Sequence, residues 1–138
     1  MGRRDPTGAA FGVTPGVTLD AGALIALDRD DRRVVVLLAR AFDLGARVTI
    51  PATALAQAIR RPDRQVRLAR LVRHPLTDVV ALDRVDATHV GRLLAVSRTR
   101  DVVDAHVVVC ARRTGQSVVT SDPDDLARLD AGLDLVVV

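Results

Sequence analysis

Five short β-branched runs punctuate this chain, the first four each followed by a stretch long enough for a helix. They are Val17–Leu19, Val48–Ile50, Asp78–Leu82, Ser117–Thr120 and Leu133–Val137. Strands that alternate with helical stretches build βαβ units around a parallel sheet. The runs are apolar throughout, as expected of strands covered on both faces. The pattern therefore predicts an α/β chain. The intervening helices are expected at Ala21–Leu27, Asp31–Phe42, Thr53–Ile59, Asp63–Arg73, Asp86–Val96 and Val102–Arg113, with a helical turn at Asp124–Leu129. Gly45 and Gly115 are suited to end two of them in the left-handed conformation. Thr53 and Asp63 are capping candidates. Residues 1–15 are rich in Gly, Pro and small polar residues and read as a disordered lead. Residues 16–138 read as one domain.

A chain of 138 residues is long enough to bury a real core. Its only aromatic residues are two Phe, so that core must be aliphatic. All 20 basic residues are Arg and all 17 acids are Asp. The net charge of +3 permits a polyanionic partner without requiring one. Arg60, Arg61, Arg64, Arg67, Arg70 and Arg73 crowd into "RRPDRQVRLARLVR", which suits either a solvated helix face or a nucleic-acid surface. Arg60, Arg64 and Arg67 are the candidates for nucleic-acid contact. Cys110 is alone and sits in an apolar run, which predicts a buried inert thiol. There is no membrane-length apolar stretch and no signal-peptide pattern, so a soluble cytoplasmic protein is expected.

The acids carry the chemistry. Asp20 ends the first strand run and Asp122 follows the fourth. In open parallel sheets, ligands bind beyond the carboxyl ends of the strands. If those two strands are neighbours, both acids project over one edge. Asp104 lies in the first turn of an apolar helix that should be buried, and Asp101 lies three residues before it. Any one of these Asp residues could be a plain helix cap. Several together repel one another, and a divalent cation such as Mg²⁺ or Mn²⁺ resolves that repulsion with oxygen ligands. Other chemistries lack their motifs: there is no GxGxxG, no Walker lysine and no GxSxG. His74, His89 and His106 have no zinc spacing, and His106 reads as a satisfied packing residue.

The blocks "VTLDAGALIALD", "IPATALAQAIR" and "DVVDAHVVVCARRTGQSVVTSDPDDL" resemble, in that order, those of PIN-domain ribonucleases, most closely the VapC-like toxins of toxin–antitoxin pairs. The resemblance spans about residues 17–138. It implies a three-layer α/β/α sandwich and Mg²⁺- or Mn²⁺-dependent cleavage of single-stranded RNA. It matches the family's catalytic and metal-binding acids to Asp20, Asp104 and Asp122. Thr120 matches a supporting Thr, and Asp125 an extra acid of some members. Asp101 has no firm counterpart. Gln57 stands where the family usually has Glu, which lowers the expected metal affinity and activity. The implied partners are RNA, a small antitoxin and a second copy in a homodimer. An apolar groove between the "VVVLLARAF" and "ATALAQAI" helices is the expected landing site for the antitoxin. Two alternatives stay open: a PIN-like binding module with weakened catalysis, and a housekeeping RNA-processing nuclease.

Overall fold

The computed structural model describes residues 16–138, so the N-terminal lead expected at 1–15 lies outside the described residues. The elements run β1 Val17–Leu19, α1 Ala21–Asp28, α2 Arg32–Asp43, β2 Val48–Pro51, α3 Ala52–Ala58, a 3₁₀ turn Pro62–Arg64 and α4 Val66–Arg73. There follow β3 Thr77–Val80, α5 Arg84–Ser97, α6 Val102–Thr114, β4 Ser117–Thr120, α7 Pro123–Leu129 and β5 Leu135–Val137. The five strands form one sheet in the order β3-β2-β1-β4-β5, and every pairing is parallel. With the helices layered against it, this is the expected α/β/α sandwich.

The core is aliphatic, as the composition requires. Leu19, Leu24, Ile50, Val107, Val108, Val118, Val119 and Leu126 are almost wholly buried. The central strands β2 and β4 are buried along their length, whereas the edge strands β3 and β5 are only partly covered. The β3 edge carries a charge: Arg47 grips Asp78 through two hydrogen bonds of 2.7 Å each. A charged edge resists pairing with another chain. Helix α6 buries seven consecutive residues, Ala105 to Ala111, which explains its nearly all-apolar sequence.

Several expected boundaries shift for local reasons. Asp63 does not cap α4 but lies within the 3₁₀ turn. The turn is braced instead by Gln65, whose side-chain oxygen accepts from the Arg60 and Arg61 amides while its nitrogen donates to the Ala58 carbonyl. Thr53 does not cap α3, because its hydroxyl is engaged with His106 Nδ1 at 2.8 Å. Helix α5 starts at Arg84, with Asp83 as its cap accepting from the Asp86 amide. Strand β3 spans Thr77–Val80 and β5 begins at Leu135. Gly45 and Gly115 both have the expected positive φ.

Candidate active site at the switch point of the sheet

From β1 the chain winds outward through β2 to β3, then returns to the other side of β1 for β4 and β5. The winding direction therefore reverses between β1 and β4, and a crevice opens beyond their carboxyl ends. The pairing of Leu19 with Val119 brings Asp20 and the Thr120–Asp122 turn to the same edge. The Asp20 amide continues the ladder by donating to the Val119 carbonyl at 3.2 Å. A Cβ on Gly22 would collide with Ser121 Oγ, so glycine permits the close approach of the two loops.

Asp20 is only 4 % exposed. It caps α1 by accepting the Ala23 amide at 2.8 Å. Burial pushes its carboxyl above the usual range, while hydrogen bonds from Thr120, Ala23 and Gly22 oppose the shift. The Thr120 hydroxyl also accepts the Asp122 amide at 2.8 Å, so it links the two strand ends. Asp104 is half-buried at the start of α6, and Asp101 caps that helix by accepting the Asp104 amide at 2.9 Å. Burial, followed by the neighbouring Asp101, Asp20 and Asp125, raises Asp104 to about 7. Asp122 is also raised, first by its hydrogen bond with Asp125, then by burial and by the charges of Asp125, Asp20 and Asp124.

The structure thus brings Asp20, Asp101, Asp104, Asp122, Asp125 and Thr120 into one neighbourhood. Asp101, Asp104 and Asp125 line a cleft of about 150 Å³, flanked by Arg100 and Arg128. Asp101 shares no helical face with Asp104. It precedes the helix and holds the Asp104 backbone.

The other expected residues separate. Gln57 is exposed and lines a broad groove of about 570 Å³ together with Arg29, Arg60, Arg61 and Arg64. Arg60 and Arg64 therefore meet as expected, but Arg67 pairs with Asp30 at 3.3 Å. Arg73 turns toward an apolar groove and donates to the Ala69 carbonyl. The run from Arg60 to Arg73 is therefore not one continuous stripe. The apolar groove beside α3 is formed with α4 and not with α2; Leu55, Ile59, Leu68 and Val72 line it. The sequence reading missed Arg29, which reaches the basic groove from the end of α1.

His106 is buried as expected, but it is only half satisfied: Nδ1 meets Thr53, and Nε2 has no partner. Cys110 is buried, and burial with the nearby Asp86 charge pushes its thiol up to about 11. Among the described residues, no helix is long and apolar enough to cross a membrane.

The PIN domain family model matches residues 17–132, which takes in every element up to α7 and both acidic strand ends. This chain belongs to the PIN-domain family. Comparison with curated proteins gives no match. PIN domains are generally nucleases, and the chain has that nuclease-type fold.

The raised Asp104 sets a pH dependence for the metal-free PIN domain. Its carboxyl holds a proton up to about 7 when folded, against 3.8 for the ordinary group. Between those values the fold binds more protons than the unfolded chain, so stability falls as pH rises through that window. His106, held below its ordinary value by burial, works in the opposite direction as pH falls through 6.5. Thermal melts in chelator isolate the carboxyl by comparison. On going from about pH 5 to about pH 8, the native chain should lose more stability than Asp104→Asn does.

Proposed function

We propose that this PIN domain is a divalent-metal-dependent endoribonuclease acting on single-stranded RNA. The observation that carries the reading is the convergence of Asp20, Asp104 and Asp122 at the switch point, where the Asp20 charge helps raise the proton affinity of both Asp104 and Asp122. The donor set fits a hard cation, since it consists of carboxylate oxygens. Asp20, Asp104 and Asp122 would hold Mg²⁺ or Mn²⁺, with Asp101 and Asp125 beside them. Such a cation supplies a water of lowered pKa and neutralises charge developing on a phosphate.

The chain's own residues do the rest. Thr120 orients the Asp20 carboxylate and ties the Asp122 backbone to it. Asp101 fixes the start of α6 and with it the position of Asp104. Arg29, Arg60, Arg61 and Arg64 offer guanidinium groups suited to successive phosphates of a strand. Gln65 holds the backbone beneath two of them, so the groove keeps its shape before RNA arrives.

The metal site has a direct test. Calorimetry with Mn²⁺ should show binding that weakens strongly in Asp20→Asn and in Asp104→Asn, with RNA cleavage lost in both. Equal affinity in the native chain and both Asn variants would remove these acids from the site.

The basic groove is tested through salt. Replacing Arg60 and Arg64 with Ala should weaken RNA binding and flatten the dependence of log K on log salt by about 1.4, or 0.7 per lost contact on single strands. Arg67→Ala, which only frees Asp30, should leave the slope nearly unchanged. Equal slopes in all three proteins would make the groove a plain solvated face.

A toxin role under antitoxin control is favoured by one further observation. The apolar groove of about 250 Å³ between α3 and α4 lies beside the basic groove, with Ile59 39 % exposed and Val66 54 % exposed nearby. A short antitoxin segment could lay aliphatic side chains there and reach toward the acidic cleft. Expression of the chain alone should then slow growth, and the small protein encoded beside it should restore growth and co-purify. Harmless expression, identical to that of Asp20→Asn, would leave the binding-module alternative as the better account.

A further inference from the structure

Helices α5 and α6 enclose a polar cluster that the proposed RNA chemistry does not use. Asp86 lies in the first turn of α5 and is 2 % exposed, while His106 and Cys110 on α6 are 0 % and 1 % exposed. Residues four apart stand on one face of a helix. Here that face turns His106 and Cys110 toward Asp86. A carboxylate oxygen of Asp86, a His106 ring nitrogen and Cys110 Sγ all lie within 4.8 Å of one another. His106 Nε2 and Asp86 Oδ2 are 3.8 Å apart, and neither has a hydrogen-bond partner. The Ala81 backbone faces the imidazole but completes no hydrogen bond to Nε2. Buried polar atoms are almost always satisfied, so two orphans 3.8 Å apart ask for an occupant.

We propose that Asp86 Oδ2, His106 Nε2 and Cys110 Sγ form a binding site for a thiophilic divalent cation of the Zn²⁺ type, separate from the carboxylate cleft. Nitrogen, sulfur and oxygen donors from three side chains suit Zn²⁺, and the hard cations favoured by the cleft would not choose a thiolate. The surroundings orient each ligand. Thr53 Oγ1 lies 2.8 Å from His106 Nδ1, so an Nδ1 proton donated to that hydroxyl leaves the Nε2 lone pair facing the cluster. Arg113 bonds the other Asp86 oxygen, Oδ1, and holds the carboxylate in place. On binding, the Cys110 thiol gives up its proton to solvent, and the resulting thiolate with the Asp86 carboxylate balances the charge of the cation. One tetrahedral position remains for a water. The site would pin α5 to α6 two residues from Asp104, and so steady the start of the acidic cleft.

Cobalt is the probe, because only a thiolate ligand gives a near-ultraviolet sulfur-to-cobalt charge-transfer band. The full chain, stripped with chelator and titrated with Co²⁺, should develop that band at one equivalent and lose it when Zn²⁺ is added. Cys110→Ala and His106→Gln should abolish it, and Asp20→Asn and Asp104→Asn should keep it. Zn²⁺ should raise the melting temperature of the native chain by several degrees, and that of Cys110→Ala hardly at all. Should His106→Gln fail to fold, Cys110→Ala decides, since alanine suits an apolar core. A folded native chain that shows no band, or a band that persists in Cys110→Ala, overturns the site and leaves the two orphaned atoms to a buried water. Because a carboxylate-only site yields no thiolate band, this result stands apart from success or failure at the RNA-cleaving acids.

Discussion

The parallel pairing of β1 with β4 is the contact on which everything else rests. It joins two strands separated by nearly a hundred residues, and it is where the winding of the sheet reverses. A sheet wound in one direction would cover every strand end with the next connection. The reversal leaves a gap, and the register of Leu19 with Val119 sends Asp20 and Asp122 into it. Helix α6 packs against β1 and β2 and brings Asp104 to the same gap. Three acids far apart in the chain thus meet through backbone geometry, and no direct attraction between them is needed.

That meeting works against stability. Burial makes Asp20 and Asp104 harder to ionise, and at Asp104 the neighbouring Asp101, Asp20 and Asp125 add to the cost. The fold tolerates it because the strain sits at the ends of rigid elements, where caps and a threonine hydroxyl fix the geometry. The basic groove is built differently. Its arginines are exposed side chains around α1, α3 and the 3₁₀ turn; Arg60 donates to the Ala56 and Ile59 carbonyls, and buried Gln65 braces the backbone beneath. Caps and a threonine hydroxyl thus fix the acidic centre, and a buried amide fixes the floor of the basic groove.

Much of this was legible in the sequence because local signals agreed. Alternating β-branched runs gave the parallel sheet, and the uniformly apolar α6 announced its own burial. Asp20, Asp104 and Asp122 stood out because each follows or opens an element. What could not be read was tertiary. The Arg60–Arg73 run looked like one stripe, but the 3₁₀ turn breaks its periodicity and Asp30 captures Arg67. Thr53 looked like a cap, yet a buried imidazole from a helix fifty residues away claims its hydroxyl. Asp86 read as the start of a helix, but that helix begins two residues earlier, and the shift turns its carboxylate inward. Such pairings between distant elements leave no trace in spacing.

Thr120 has a consequence for where protons reside. A hydroxyl carries a single hydrogen. Having accepted the Asp122 amide, Thr120 directs that hydrogen toward Asp20. Asp20 therefore receives donors from Thr120, Ala23 and Gly22, which oppose but do not cancel the upward push of burial. At Asp104 the causes all push the same way: burial first, then Asp101, Asp20 and Asp125. Both carboxyls are raised, but only at Asp20 do hydrogen bonds work against the rise. The threonine thus tempers, at the end of β1, a rise that none of the groups acting on Asp104 opposes at the start of α6.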